Sequence, residues 1–193
     1  MNRRHFVGIS LGTLLSAGCS RVNLQDAIFS QHLSDAASQV EQPKTIVVQS
    51  TTLLLSEKGT EWKTPADVRS VDPNIQESTA SALLSVGNER QHVSLMSENL
   101  PHKLLLVYVT EEHVREIFET ESLTRGWQQF YLEFPNSIGL LSFSSVGFNS
   151  ARDQAAFVVS VSCGGLCGSG HLVRMARSPN GWRTEEAKSL WVS

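Results

Sequence analysis

The chain has 193 residues, 40% of them hydrophobic and 18% charged, which suits one domain with an adequate core and a short N-terminal extension. Its formal net charge is −3, and no basic stripe of the kind that meets nucleic acid runs through it. No repeat, low-complexity run or coiled-coil heptad is visible.

The first residues read as an export signal. Arg3 and Arg4 make a positive n-region, and Phe6 to Ala17 form a short apolar stretch diluted by Gly8 and Gly12. About 12 apolar positions are too few to cross roughly 30 Å of hydrocarbon as a helix. Leu15-Ser16-Ala17-Gly18-Cys19 resembles a bacterial lipobox, whose cysteine is acylated and becomes the mature N-terminus. Ordinary signal-peptide cleavage nearby is the competing reading. Asn2-Arg3-Arg4-His5-Phe6-Val7 resembles a twin-arginine signal, against a plain secretory n-region that happens to hold two arginines. Residues 1–18 are therefore expected to be removed, 19–23 to form a lipidated tether and 24–193 to fold. Loss of two arginines and no acids takes the charge from −3 to −5. Several acyl chains, such as palmitate, at Cys19 would hold the protein on a membrane. By resemblance to enterobacterial lipoproteins, Ser20 in place of Asp favours the outer membrane, facing the periplasm.

Next comes helical spacing over 24–40, with Leu24, Ala27, Ile28, Leu33, Ala36, Ala37 and Val40 on one side, Asn23 as cap and Pro43 as stop. Lys44 to Leu55 carries Ile46-Val47-Val48 and Leu53-Leu54-Leu55, which suit one or two buried strands. Gly59 to Pro73 reads as a polar loop whose Trp62 lids the edge of a core. Asp72-Pro73 reads as a helix start, followed by Ile75, Thr79, Ala82, Leu83 and Val86, with Gly87-Asn88 as the stop and His92 near its end. Leu104 to Val109 is an apolar strand, and His102 precedes it. Thr110-Glu111-Glu112 caps a short helix that runs through Ile117-Phe118.

After Gly126, Trp127, Phe130, Tyr131 and Phe134 recur at helical spacing, an aromatic face docked on the sheet and ended by Pro135. From Ile138 the period drops toward two. Strands over 138–148, 155–163 and 171–177, a turn at Ser178-Pro179-Asn180-Gly181, a strand from Trp182 and an edge piece at Leu190-Trp191-Val192 suit antiparallel hairpins in series. The expected fold is a single α+β domain: a mainly antiparallel sheet with helices packed on one face and a C-terminal β-meander.

Cys163 and Cys167 are the pair left once Cys19 carries lipid. Outside the cytoplasm they favour a disulfide, fixing a turn in which four glycines free the backbone. A redox pair would need a cysteine with a lowered pKa beside a helix start or a cation, and no helix pattern follows. Cys163, Cys167 and His171 at spacings of four are a weaker alternative as zinc or copper ligands, lacking a local fourth. Ser142, Ser144 and Ser145 have no nucleophile-elbow context. Glu111, Glu112, Glu116, Glu119 and Glu121 read as a solvated face with Arg115, and His113 as a surface histidine.

Trp127-x-x-Phe130-Tyr131-x-x-Phe134-Pro135-x-Ser137-x-Gly139, then Ser145-Val146-Gly147-Phe148-Asn149, Cys163-Gly164-x-Leu166-Cys167-Gly168-x-Gly170 and Gly181-Trp182, resembles a group of uncharacterised secreted or lipidated bacterial proteins. The resemblance covers about residues 100–193 and implies a compact exported domain closed by a hairpin, with no activity to carry over. The reading that results is a non-enzymatic cell-envelope lipoprotein, with no cofactor expected and a membrane contact through its lipid. An envelope hydrolase with scattered catalytic residues, or a redox or metal role for the cysteine loop, is the alternative.

Overall fold

The sheet takes the order β2-β1-β3-β5-β6-β7, with a short β4 paired on β5. Its strands are β1 (Lys44–Gln49), β2 (Leu104–Val109), β3 (Ser137–Phe143), β4 (Gly147–Phe148), β5 (Gln154–Gly164), β6 (Cys167–Ser178) and β7 (Gly181–Val192). The helices are α1 (Leu24–Ala37), α2 (Pro65–Val71), α3 (Glu77–Val86), α4 (Glu111–Phe118) and α5 (Leu123–Glu133). The computed structural model describes residues 23–37, 44–58, 60–95, 100 and 104–193. Arg3, Arg4, Cys19 and His102 lie outside the described residues.

The α+β expectation holds, and the sheet is mixed. β1 runs parallel to both β2 and β3. A parallel neighbour needs a long crossover, which α2–α3 provide between β1 and β2, and α4–α5 between β2 and β3. From β3 onward every pairing is antiparallel, so the C-terminal half is the expected series of hairpins.

The helices cover both faces, not one. Along β1, β3, β5 and β6 alternate residues enter different cores. Ile46, Val48, Leu141, Phe143, Ala155, Phe157, Val159, Val173 and Met175 pack under Ile28, Phe29 and Leu33 of α1. Ala156, Val158 and Leu172 meet Val68, Ile75, Ala80 and Leu83 of the α2–α3 region, with Trp62 packed against this core as a lid. Val47 and Leu140 meet Ile117, Trp127, Phe130 and Phe134 of α4 and α5. Unbroken apolar runs such as Ala155 to Val159 have no wet side, so each strand needs cover above and below.

Asn23 caps α1 as expected, accepting the Gln25 amide at 3.1 Å. The loop expected over 59–73 contains α2 instead. Thr64 and Asp67 form a reciprocal capping box around Pro65 at the first helical position. Asp72 therefore closes one helix rather than opening the next, and α3 starts at Glu77. Asp72 is 1% exposed; it accepts from Arg174 Nε at 2.7 Å and from the Asn74 amide at 3.0 Å. His92 lies in an isolated bridge with Thr51, not on a helix. Leu190-Trp191-Val192 completes β7 and is not a separate piece.

Gly126 sits inside α5, where a Cβ would overlap the Phe118 ring of α4. Glycine costs a helix interior about 1 kcal/mol, and here it permits that close crossing. The two outer strands differ. β7 presents Arg183, Glu185, Glu186 and Lys188, whereas β2 reads Leu-Leu-Leu-Val-Tyr-Val with Leu105 64% exposed.

Removing one partner of a buried ion pair leaves the other charge uncompensated. Asp72→Ala is expected to lower the urea-unfolding free energy by roughly 3–5 kcal/mol, and Asp72→Leu with Arg174→Met to recover most of it.

Candidate functional site

The tip of the β5–β6 hairpin is closed by a Cys163–Cys167 disulfide with Cα atoms 5.0 Å apart. The ladder pairs Ser162 with Gly168 and Gly164 with Cys167, so Cys163 occupies a register shift. The disulfide spans that bulge, and Gly165-Leu166 make the turn. The loop's glycines do not take the unusual backbone angles expected of them: among the described glycines only Gly139 and Gly181 have positive φ. A Cβ on Gly170 would strike the Trp191 indole, and one on Gly139, at φ 117°, would strike the Ser162 carbonyl.

Both sulfurs are consumed by this bond, so neither offers a thiolate to a metal. His171, the third member of the alternative ligand set, lies 3.2 Å from Ser169 Oγ through Nε2. No group of three or more His, Cys, Asp or Glu gathers as a metal site among the described residues.

Beside the tip runs α5. Of the aromatic face expected on the sheet, Trp127, Phe130 and Phe134 are buried there, and Tyr131 is only half-buried. The Tyr131 hydroxyl donates to the Cys163 carbonyl at 2.9 Å, joining helix to hairpin. Between them lies a trough of about 610 Å³ lined by Thr124, Trp127, Gln128, Tyr131, Leu132 and Gly165. Leu132 in that lining is 78% exposed, and Leu123 and Leu166, next in sequence to the lining residues Thr124 and Gly165, are 56% and 90% exposed. The sequence reading assigned the aromatics to the core and missed the trough. The signal was Leu132 and Leu166, apolar residues off the buried stripe and at a turn.

On the far side of α5 a smaller groove of about 350 Å³ holds His113, Glu116, Thr120, Arg125 and Glu133. His113 Nε2 is 2.6 Å from Glu133 and Nδ1 is 3.4 Å from Glu116. The Glu133 hydrogen bond, with help from Glu116, raises the imidazole above its ordinary pKa. Both ring nitrogens thus face carboxylates, which favours the imidazolium form over a free base. The Thr120 hydroxyl is itself spent on the Ser122 carbonyl at 2.8 Å. Glu111 pairs with Arg90 at 3.2 Å and Glu121 with Arg125 at 3.0 Å, so the acidic face is partly neutralised. Ser142, Ser144 and Ser145 are buried, with hydroxyls donating to Gln49 Oε1, the Ser145 carbonyl and the Glu89 carbonyl. The serines and His113 thus lie in separate places and form no nucleophile–base pair.

No family model, no curated protein and no solved structure matches this chain.

A cross-link that encloses so few residues removes little chain entropy. Replacing Cys163 and Cys167 by serine is expected to cost about 2 kcal/mol in denaturant unfolding, with the sheet retained by circular dichroism.

For His113 the folded pKa lies above the unfolded one. Its contribution is full below about pH 6.5 and is lost as pH rises through the folded value. The melting-temperature gap between wild type and His113→Gln should therefore be largest in mild acid and close above that value. Because the pair is exposed, added salt should shrink the gap.

Proposed function

We propose that this chain is an exported, lipid-anchored cell-envelope protein that acts by binding, without catalysis, a partner polypeptide through the α5–hairpin trough. The observation that carries the binding role is the set of exposed leucines in and next to the trough lining. A small ligand seated in about 610 Å³ would meet Leu132 but leave Leu166, beyond the lining, in water; an apolar segment of another protein would bury both with the trough. The close join of α5 to the hairpin tip supports it, because a surface held by the Tyr131–Cys163 hydrogen bond and a disulfide needs little ordering on binding.

Support for the address is separate. The Arg3-Arg4 and Leu15-to-Cys19 stretches read as signal and lipobox, and the Cys163–Cys167 disulfide suits an oxidising compartment. Lipid at Cys19 would hold the domain at the membrane surface, with residues 19–23 as tether. The resemblance to secreted and lipidated bacterial proteins points the same way. No reaction follows from this assignment.

Two measurements test it. Mass spectrometry of the mature protein from membranes should find acyl chains on Cys19, and Cys19→Ser should move the protein to the soluble fraction. Unmodified cytoplasmic protein would sink the address. A photo-crosslinking amino acid at exposed Gln128 should give one discrete protein adduct in intact cells, lost in Leu132→Glu with Leu166→Glu. These exposed changes should alter stability by less than about 0.5 kcal/mol. Absence of an adduct, or one indifferent to both leucines, would sink the binding role.

A further inference from the structure

α1 is held on the sheet by two different kinds of contact. Its first half buries Ile28 and Phe29 completely. Phe29 stacks on Phe143 with centroids 4.3 Å apart and meets Phe157 edge-on at 5.3 Å. The second half has Leu33 and otherwise polar ties to β7. His32 Nδ1 lies 3.2 Å from Thr184 Oγ1, and Asp35 accepts the Thr184 amide at 2.9 Å. Gln31 donates to the other Asp35 oxygen at 2.8 Å. The His32 ring meets Phe157 edge-on at 5.4 Å. His171 of β6 is directly paired with Val159, a residue of the core beneath α1, so the second imidazole lies on that same face of the sheet.

We propose that the segment from His32 to Ala36 is an acid-operated latch: proton uptake by His32 lifts it from β5 and β7 while Ile28 and Phe29 keep the first half of α1 docked. Among the described residues, the charges around the ring are few. Asp35 on α1 favours the imidazolium, and His171 on β6 opposes it. On β7 the facing group is Thr184, which does not ionise; neighbouring Glu185 is taken by Arg183 at 2.5 Å and lies 4.0 Å from Arg174. Burial outweighs Asp35 and brings the His32 pKa down from 6.5 to about 4. The docked segment thus disfavours the proton by roughly 300-fold relative to an exposed histidine. A lowered folded pKa means that docking is full above about 6.5 and weakens as pH falls toward 4. Lifting the segment uncovers the Phe157 edge and Thr184, opening an apolar strip on the face opposite the α5 trough.

Proton NMR and amide exchange on the intact domain, from about pH 7.5 down to about pH 4, test this. The His32 ring should titrate near 4. Protection factors, corrected for the pH dependence of intrinsic exchange, should fall at least about 30-fold more over residues 32–36 than over β5. His32→Gln, which keeps a polar group near Thr184 without a titrating charge, should abolish that selective loss, as should His32→Phe beside Phe157. His171→Gln should raise the His32 midpoint. Titration of His32 near 6.5, a uniform loss of protection across the domain, or an unchanged selective loss in His32→Gln would each overturn the latch.

Discussion

Burial of the central strands on both sides is the constraint on which the rest depends. β3 and β5 place apolar residues at consecutive positions, and no strand with two dry faces is stable beside water. α1 answers one face, and α2–α3 and α4–α5 divide the other between them. The parallel placement of β1 beside β3 follows from the same need, since the helical crossovers must return over the sheet to cover it. Asp72–Arg174 then ties the α2–α3 cover to β6 through a buried ion pair.

Much of this was legible in the chain. Alternation and turn residues gave the C-terminal hairpins, and Thr110 with its acids gave α4. α2 was obscured because only Val68 of its residues is fully buried, so its period is faint; its mark was the Thr64-Pro65-x-Asp67 capping box. Asp72-Pro73 misled because a carboxylate before proline caps a helix in isolation, while here Arg174, far along the chain, claims that carboxylate. The second helical face was implied by Ile46-Val47-Val48, where three apolar residues in a row cannot all point one way.

The candidate site was legible in part. The cysteine pair announced its bond by proximity. The roles of Gly170 in the hairpin and Gly139 in β3 did not show, because Gly170 answers to Trp191 across a hairpin and Gly139 to Ser162 on a neighbouring strand. The trough depends on where the hairpin tip falls relative to α5, a tertiary relation that no local pattern encodes. His113, read from the sequence as a surface histidine, gains from the structure two carboxylate neighbours, Glu133 on α5 and Glu116 on α4. The arrangement then reads as a bracket between α4 and α5.

The unlike borders of the sheet have a further consequence. β7 carries charges along its length and kinks at two register shifts, which discourage a foreign strand from docking there. β2 has neither charge nor proline, so any zippering between molecules would begin on that side. A particle with a single receptive border can recruit one neighbour and is then capped; fibre growth requires two. Asymmetry of this kind steers accidental contact toward closed pairs and away from open-ended polymer.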